Sequence, residues 1–264
     1  MNAITLGPLM LPIDRFSAIL AAVAFLLVAD ILARRVDRRF STWSSWATAI
    51  YFVMARVGHV LQHLESFATE PWRIFAVNQG GFSWPVGLFG LVLFSVVFLR
   101  KVKMVTWSLI PIALSGVVGA ATLQLGVVPT GLMLPNQTFP LMDGRSLRPS
   151  SLSGRPMVIN LWASWCPPCR QEMPMMAELA QNSGAATFIF ANQGEGDTAI
   201  SDFLTKANIK LDNLVLDRSL VFQQHYDVLG LPATLFIDSD GVLRDLHLGE
   251  ISKEILVTKI KELQ

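Results

Sequence analysis

The chain has 264 residues and a formal net charge of +1, enough length for two compact units. That average hides a division: residues 1–126 carry ten Lys and Arg against five Asp and Glu, a balance of +5, while residues 127–264 carry eleven against fifteen, a balance of −4. In the first part the charges cluster between long apolar runs, and in the second they are scattered, so the pattern reads as a basic membrane anchor followed by a mildly acidic water-soluble domain. No Lys/Arg stripe lies outside the flanks of the apolar runs, which speaks against nucleic acid as a partner. The two cysteines, Cys166 and Cys169, form one Cys-x-x-Cys. That excludes a disulfide-stapled scaffold and leaves a redox pair or half of a metal site.

A hydrocarbon core of about 30 Å needs roughly 20 apolar residues per helix. The predicted spans are Ile13 to Ala33, Trp43 to His63, Phe82 to Leu99 and Val105 to Leu123, the second being the least apolar because it holds Arg56, His59 and His63. Arg34, Arg35, Arg38 and Arg39 follow the first span, and Arg100, Lys101 and Lys103 follow the third. The loop from Leu64 to Gly81 sets one cation, Arg73, against Glu65 and Glu70. The positive-inside rule then places both basic loops in the cytoplasm and both termini outside, in the periplasm of a Gram-negative cell. A cleaved signal peptide is the alternative for the first run. It fits poorly, because no cation precedes the apolar residues and no small-residue cleavage site follows them.

Arg56 lies inside a span, where an ionisable group is costly and is a functional candidate. It is read either as the ligand of a phospholipid headgroup or as a structural group that pairs or snorkels, with Asp30 too near the cytoplasmic end to serve. His59 and His63 share one helix face. They suit a metal or a polar helix–helix contact, and because extra ligands are scarce nearby no metal site is expected.

The stretches Ala55-Arg56-Val57-Gly58-His59-Val60-Leu61, Pro71-Trp72-Arg73-Ile74-Phe75 and Gly80-Gly81-Phe82-Ser83-Trp84-Pro85-Val86-Gly87-Leu88-Phe89-Gly90 resemble the early part of prolipoprotein diacylglyceryl transferase, over about half of such an enzyme. The resemblance implies contact with membrane lipid. It does not extend to lipoprotein acylation, since Pro85 and Val86 stand where that family has His and Gly, and its later Arg-rich segment is missing.

Residues 127–137, with Pro129, Gly131 and Pro135, read as a linker between a membrane domain at 1–126 and a soluble domain at 138–264. In the latter, Thr138 to Leu141 and Arg145 to Leu147 flank the turn pair Asp143-Gly144. Met157 to Trp162 is a buried-strand run, followed by a helix from Cys166 to about Gln181, a strand at Ala186 to Ala191 and a helix at Thr198 to Ala207. A short edge strand at Leu214 to Asp217 and a helix at Leu220 to Val228 come next. Strands at Ala233 to Ile237 and Val242 to Leu248 joined through Asp240-Gly241, and a last helix marked by Leu256, Ile260 and Leu263, complete the thioredoxin order. The predicted fold class is thus a four-helix transmembrane region plus an α/β thioredoxin-like domain.

Trp162-Ala163-Ser164-Trp165-Cys166-Pro167-Pro168-Cys169-Arg170-Gln171-Glu172-Met173-Pro174, with Gly230-Leu231-Pro232-Ala233-Thr234-Leu235-Phe236-Ile237-Asp238 downstream, resembles the TlpA/ResA group of thioredoxin-like proteins over about residues 133–264. Cys166, at a strand-to-helix junction, sits at a helix N-terminus, where the dipole and free N–H groups favour its thiolate. The thiolate is the nucleophile of thiol–disulfide exchange. Pro167 suits the first helical position, and Cys169, one turn on, resolves the mixed disulfide. Pro232 matches the group's cis-proline, the alternative being an ordinary strand-start proline. Leu231 presents its backbone to an incoming peptide, and Trp165, Pro167 and Pro168 complete the expected substrate contact.

In the TlpA/ResA group a Glu at position 172 influences proton movement at the cysteines, the alternative being a solvated helix carboxylate. Asn160 stands where thioredoxin itself has a buried acid, which makes Glu172 the expected proton handler. Pro174 is expected to kink the helix, and Trp162 and Trp165 to pack around the cysteines.

Zinc needs two more ligands than this pair supplies, and His225 and His247 are isolated. A peroxidase lacks its motif. Oxidase and reductase directions both remain open, and the resemblance favours reduction. No cofactor is expected. The expected partners are a periplasmic protein disulfide, a membrane thiol carrier as electron donor, because the membrane part has no cysteine, and membrane lipid. A further alternative is a lipid-binding membrane module regulated by the redox domain.

Overall fold

The computed structural model describes residues 3–6, 9–69, 71–76, 80–124, 130–182 and 184–264. Glu70 and the first part of the predicted linker therefore lie outside the described residues. Leu11–Gly126 form one compact unit, and Val127–Gln264 together with Met1–Met10 form the other.

The helical unit contains α1 (Ile13–Arg35), α2 (Arg39–Gln62), α3 (Leu64–Thr69), a 3-10 turn at Pro71–Phe75, α4 (Trp84–Leu99) and α5 (Val102–Gln124). Two short strands, β1 (Ala3–Leu6) and β2 (Leu9–Pro12), pair ahead of α1. The sequence reading placed no element there. Arg34 and Arg35 occupy the last turn of α1, where cations complement the helix dipole. Pro85 falls in the first turn of α4, where a missing N–H costs nothing. By length and composition α1 and α5, 23 residues each, suffice to cross a bilayer. The 16-residue α4 is apolar but shorter.

Small residues bring α2 and α4 together. A Cβ added to Gly58 would meet Val86 Cβ at 2.6 Å, and one added to Gly90 would meet Met54 Cγ at 2.5 Å. Such close backbone approach is the usual means of helix association in lipid, where apolar burial alone gives no driving force. Trp43 is fully buried between Phe25 and Phe40 and donates its indole N–H to Ser95 Oγ at 3.1 Å, so the one polar atom of that ring is satisfied.

Arg56 spends its guanidinium on backbone carbonyls. Nε donates to Ile74, Nη1 to Gly80 and Gly81, and Nη2 to Arg73 and Ala76, at 2.8–3.4 Å. Each of its five N–H groups thus has an acceptor on the segment between α3 and α4. Its side chain also lies over the rings of Phe67 and Phe82. Asp30 pairs with Arg34, one turn along α1, at 2.8 Å. The His59 and His63 rings are 4.6 Å apart.

The second unit is an α/β domain: β3 (Phe139–Pro140), β4 (Ser146–Leu147), β5 (Met157–Trp162), α6 (Pro167–Asn182), β6 (Thr187–Gln193), α7 (Asp197–Ala207), β7 (Leu214–Asp217), α8 (Val221–His225), β8 (Ala233–Ile237), β9 (Leu243–Leu248) and α9 (Lys253–Glu262). Five strands form one sheet in the order β7-β6-β5-β8-β9. The β7, β6 and β5 strands are parallel, whereas β8 runs antiparallel to both β5 and β9. β5 is central and wholly buried, which explains its unbroken apolar run. Alternation splits it between two cores. Met157, Ile159 and Leu161 face a cluster with Phe139, Phe222 and Tyr226, while Val158 and Trp162 face one with Met173, Ile251, Leu256 and the two cysteines.

The later part of the predicted linker is docked. Gly131 N–H donates to Leu243 O at 2.9 Å, Leu243 N–H to Leu132 O at 2.8 Å and Leu134 N–H to Gly241 O at 2.9 Å, with Leu134 buried in the first cluster. The β8–β9 turn leaves unpaired backbone groups at the sheet edge, and these residues cover them.

Candidate active site

β5 ends at Trp162 and α6 begins at Pro167, so Cys166 is the last residue before the helix. A proline at the first helical position needs no N–H partner, and the Cys166 N–H closes the turn onto Ala163 O at 3.2 Å. Cys166 and Cys169 form a disulfide with Sγ atoms 2.05 Å and Cα atoms 5.3 Å apart. The Cys169 N–H points at Cys166 Sγ, 3.3 Å away. This helix-terminal donor and the positive end of the α6 dipole both favour negative charge on that sulfur once the bond is reduced.

In the disulfide form Cys166 is 3% exposed and Cys169 fully buried, so the sulfurs are largely covered. The exposed group here is Trp165, at 68%. This corrects the expectation that both tryptophans pack around the cysteines. Trp162, on the strand, points into the core and rests 5.6 Å from the Phe203 ring, whereas Trp165 follows a turn that leaves it outside. Pro167 is exposed beside it and Pro168 half-buried. α6 continues through Pro174.

Glu172 lies one turn beyond Cys169 and is 2% exposed, so it is no solvated surface carboxylate. Its Oε1 accepts from Asn160 Nδ2 at 2.9 Å and its Oε2 from the Ile251 N–H at 3.0 Å. Burial pushes its carboxyl up to about 8; the hydrogen bonds from Ile251 and Asn160 oppose that shift, and the charge of Glu250 adds to it. A buried carboxyl that titrates near neutrality suits proton transfer.

The Leu231–Pro232 peptide is cis. The β5–β8 register pairs Asn160 with Thr234 and Leu161 with Ala233, so Pro232 comes level with the end of β5, where the cysteine turn begins. Its carbonyl accepts from Gly249 N–H at 2.8 Å. Leu231 is half-buried and touches both apolar clusters. Cys166, Cys169, Glu172, Trp165, Pro167, Pro168, Leu231 and Pro232 thus all stand at the β5–α6 end of the domain. Arg56 belongs to the helical unit.

Sequence reasoning missed Glu195. Its carboxylate accepts from the Ser164 N–H at 2.6 Å, the Ser164 hydroxyl at 2.5 Å and Asn192 Nδ2 at 2.6 Å. It therefore ties the turn that carries Trp165 and Cys166 to the loop after β6. The signal available was a lone acid between two glycines, Gly194 and Gly196, directly after a buried strand. Among the described residues no group of three or more His, Cys, Asp or Glu side chains is placed to hold a metal ion.

Residues 3–126 match the prolipoprotein diacylglyceryl transferase family model. Among curated relatives, the thiol-disulfide oxidoreductase ResA of Bacillus thuringiensis is 28% identical over 173 residues, covering 62% of this chain and 99% of that protein. The thioredoxin-like protein YneN of Bacillus subtilis is 25% identical over 137 residues, covering 50% and 79%. Among solved structures, a secreted disulfide oxidoreductase of Mycobacterium tuberculosis aligns with a TM-score of 0.44 at 27% identity, over 48% of this chain and 96% of that one. The Redoxin family model matches residues 129–263, just over half of the chain, and the protein belongs to the Redoxin family.

Proposed function

We propose that the protein is a membrane-anchored thiol–disulfide oxidoreductase that reduces disulfides of partner proteins on the outer, periplasmic face of a bacterial inner membrane. The observation that carries this reading is the disulfide between Cys166 and Cys169 at the N-terminus of α6, with a helix N–H on Cys166 Sγ and the buried Glu172 one turn beyond.

In the reducing direction the Cys166 thiolate attacks one sulfur of the partner disulfide. A mixed disulfide forms, and the partner's other sulfur leaves as a thiolate that takes a proton from water. Glu172 accepts the proton of the Cys169 thiol. The Cys169 thiolate then attacks Cys166 Sγ, forming the intramolecular disulfide and releasing the partner's second thiolate. Two electrons pass to the partner, and the enzyme is left as in the present structure. Trp165, exposed beside the cysteine turn, Pro167, Pro168 and the backbone at Leu231–Pro232 lie at the same end of the domain as the sulfur and supply the contact for the partner chain. The TlpA/ResA resemblance favours reduction over oxidation. A reduction potential near thioredoxin's, about −270 mV, fits a reductase, and one near about −120 mV an oxidase.

We read the helical unit as four spans, and the basic residues at 34–39 and 100–103 support an orientation with both termini and the redox domain outside. Large apolar side chains stand exposed on each long helix, among them Leu27, Val53, Phe89 and Val117, at 60–65%. Such a surface suits lipid rather than water. The diacylglyceryl transferase likeness supports lipid association. A headgroup at Arg56 must compete with the backbone carbonyls that already hold the guanidinium. The chain's cysteines are both in the redox domain, so a separate membrane thiol carrier is required to re-reduce them.

The test is trapping. Cys169→Ser protein cannot resolve a mixed disulfide, so it should accumulate covalent adducts on Cys166 with periplasmic proteins. An absence of adducts that disappear on adding reductant would contradict the reading.

A further inference from the structure

Asn160 sits in the middle of β5 and is fully buried. Strand alternation turns it toward α6, away from the core that receives Ile159 and Leu161. Its Nδ2 faces two acceptors, Glu172 Oε1 at 2.9 Å and Thr234 Oγ1 at 3.4 Å. Its Oδ1 is enclosed and has no hydrogen-bond partner among the described residues. A buried amide oxygen without a partner calls for an explanation, because leaving one unsatisfied costs about 1–3 kcal/mol.

Glu172 offers one. Both of its oxygens accept, one from Asn160 and one from the Ile251 N–H. That donor set fits an ionised carboxylate. A protonated carboxyl carries an O–H and needs an acceptor beside it, which neither Nδ2 nor a backbone N–H can be. Asn160 Oδ1 is such an acceptor, half a turn of the amide away. The two ends of a primary amide are nearly the same size, so the turn exchanges donor for acceptor without displacing neighbours. Thr234 serves both states, since its hydroxyl accepts from Nδ2 or donates to Oδ1. In either orientation one end of the amide faces Glu172 and Thr234 while the other is left over, so the two orientations carry a similar cost and Glu172 decides between them.

We propose that Asn160 is a positioning residue whose amide turns over as Glu172 gains or loses its proton, with Nδ2 on the ionised carboxylate and Oδ1 on the protonated acid. The proposal rests on the reading of Glu172 as acceptor of the Cys169 proton. An asparagine is suited to that place because it presents either polarity without a charge of its own. Other groups also act on Glu172. The segment before α9 contributes the charge of Glu250 and the Ile251 N–H, α6 carries Cys169 one turn back, and β5 contributes the uncharged Asn160, itself bonded to Thr234 of β8.

The experiment follows the rate of exchange between the reduced full-length protein in nanodiscs and glutathione disulfide as a function of pH. The variants are Asn160→Leu, Asn160→Asp, Glu172→Gln and the Asn160→Leu/Glu172→Gln pair. The parent should show an inflection that Glu172→Gln removes. Asn160→Leu removes the Nδ2 donor of the ionised state and the Oδ1 acceptor of the protonated state; a hydrogen bond to a charged carboxylate is the stronger of the two, so the inflection should move to higher pH by about one unit, a tenfold change in proton affinity. Asn160→Asp should split it in two, as coupled acids do. The double variant should match Glu172→Gln alone. An inflection that depends on Glu172 yet stays single and unmoved in the Asn160 variants overturns this inference and leaves the proposed function standing. A shift of the same size in the Glu172→Gln background also overturns it. If Asn160→Leu does not fold, the Asn160 side-chain amide resonances of the reduced parent decide: they should change with the midpoint of the Glu172 inflection, and resonances that stay constant through it overturn the inference. A parent with no Glu172-dependent inflection overturns the proton-acceptor reading and this inference together.

Discussion

Glu195 holds Ser164 at two points, accepting its backbone N–H at 2.6 Å and its hydroxyl at 2.5 Å across 31 residues of sequence. The contact follows from the parallel register of β5 and β6, which sets Trp162 opposite Asn192 and so brings the loops after the two strands side by side. Ser164 is two residues before Cys166, so the position of the nucleophile is tied to a carboxylate on a different loop.

Replacing that carboxylate should loosen the cysteine turn before anything else. Hydrogen bonds to a charged acceptor contribute about 1.5–3 kcal/mol each. A net loss of about 2 kcal/mol in local stability for Glu195→Ala lowers amide protection over residues 163–166 roughly thirtyfold. Hydrogen exchange of the intact protein measures this. Unchanged protection there, or a loss spread evenly over the sheet, would contradict the assignment.

Glu172 sets a pH dependence whose sign is fixed by its raised pKa. Between its ordinary value of 4.5 and about 8 the folded protein holds a proton that the unfolded chain has released. Its stabilising contribution is therefore fully present below about 4.5, is lost as pH rises through that window and levels off above about 8. The change amounts to a few kcal/mol. Glu172→Gln keeps a neutral side chain at every pH, so the oxidised variant should lose much less stability across this range. Protection of the β5 amides in the oxidised protein at acid and alkaline pH provides the comparison, and equal slopes for parent and variant would contradict it.

Arg56 separates a structural from a lipid role. Its fork of five donors meets carbonyls of Arg73, Ile74, Ala76, Gly80 and Gly81. An ammonium group has three donors and no plane, so Arg56→Lys should not restore that geometry. Both Arg56→Lys and Arg56→Ala should open the segment to proteolysis between α3 and α4. Loss of co-purifying anionic phospholipid without such opening would instead assign Arg56 to a headgroup.

Much of the redox domain was legible from particular residues. The run Met157 to Trp162 announced a central strand because it is buried on both faces, and the Cys166–Cys169 and Leu231-Pro232 segments pointed to the candidate site. The sequence could not show Glu195, since its role depends on strand register and its loop has no periodicity. It could not orient Trp165, because a turn has neither the two-residue nor the 3.6-residue period that assigns faces. Arg56 was flagged as costly, yet five of its partners are backbone carbonyls, and a search for a carboxylate partner passes over them. The docking of residues 131–134 against Leu243 and Gly241 was hidden by the Gly and Pro content that marks linkers.

The most direct test of the account is the alkylation rate of Cys166 in Cys169→Ser protein, measured against pH with a membrane-impermeant reagent on spheroplasts. The account predicts labelling from outside with a midpoint well below free cysteine's value of about 8.5. A midpoint at or above that value, or labelling only after the membrane is broken, would contradict it.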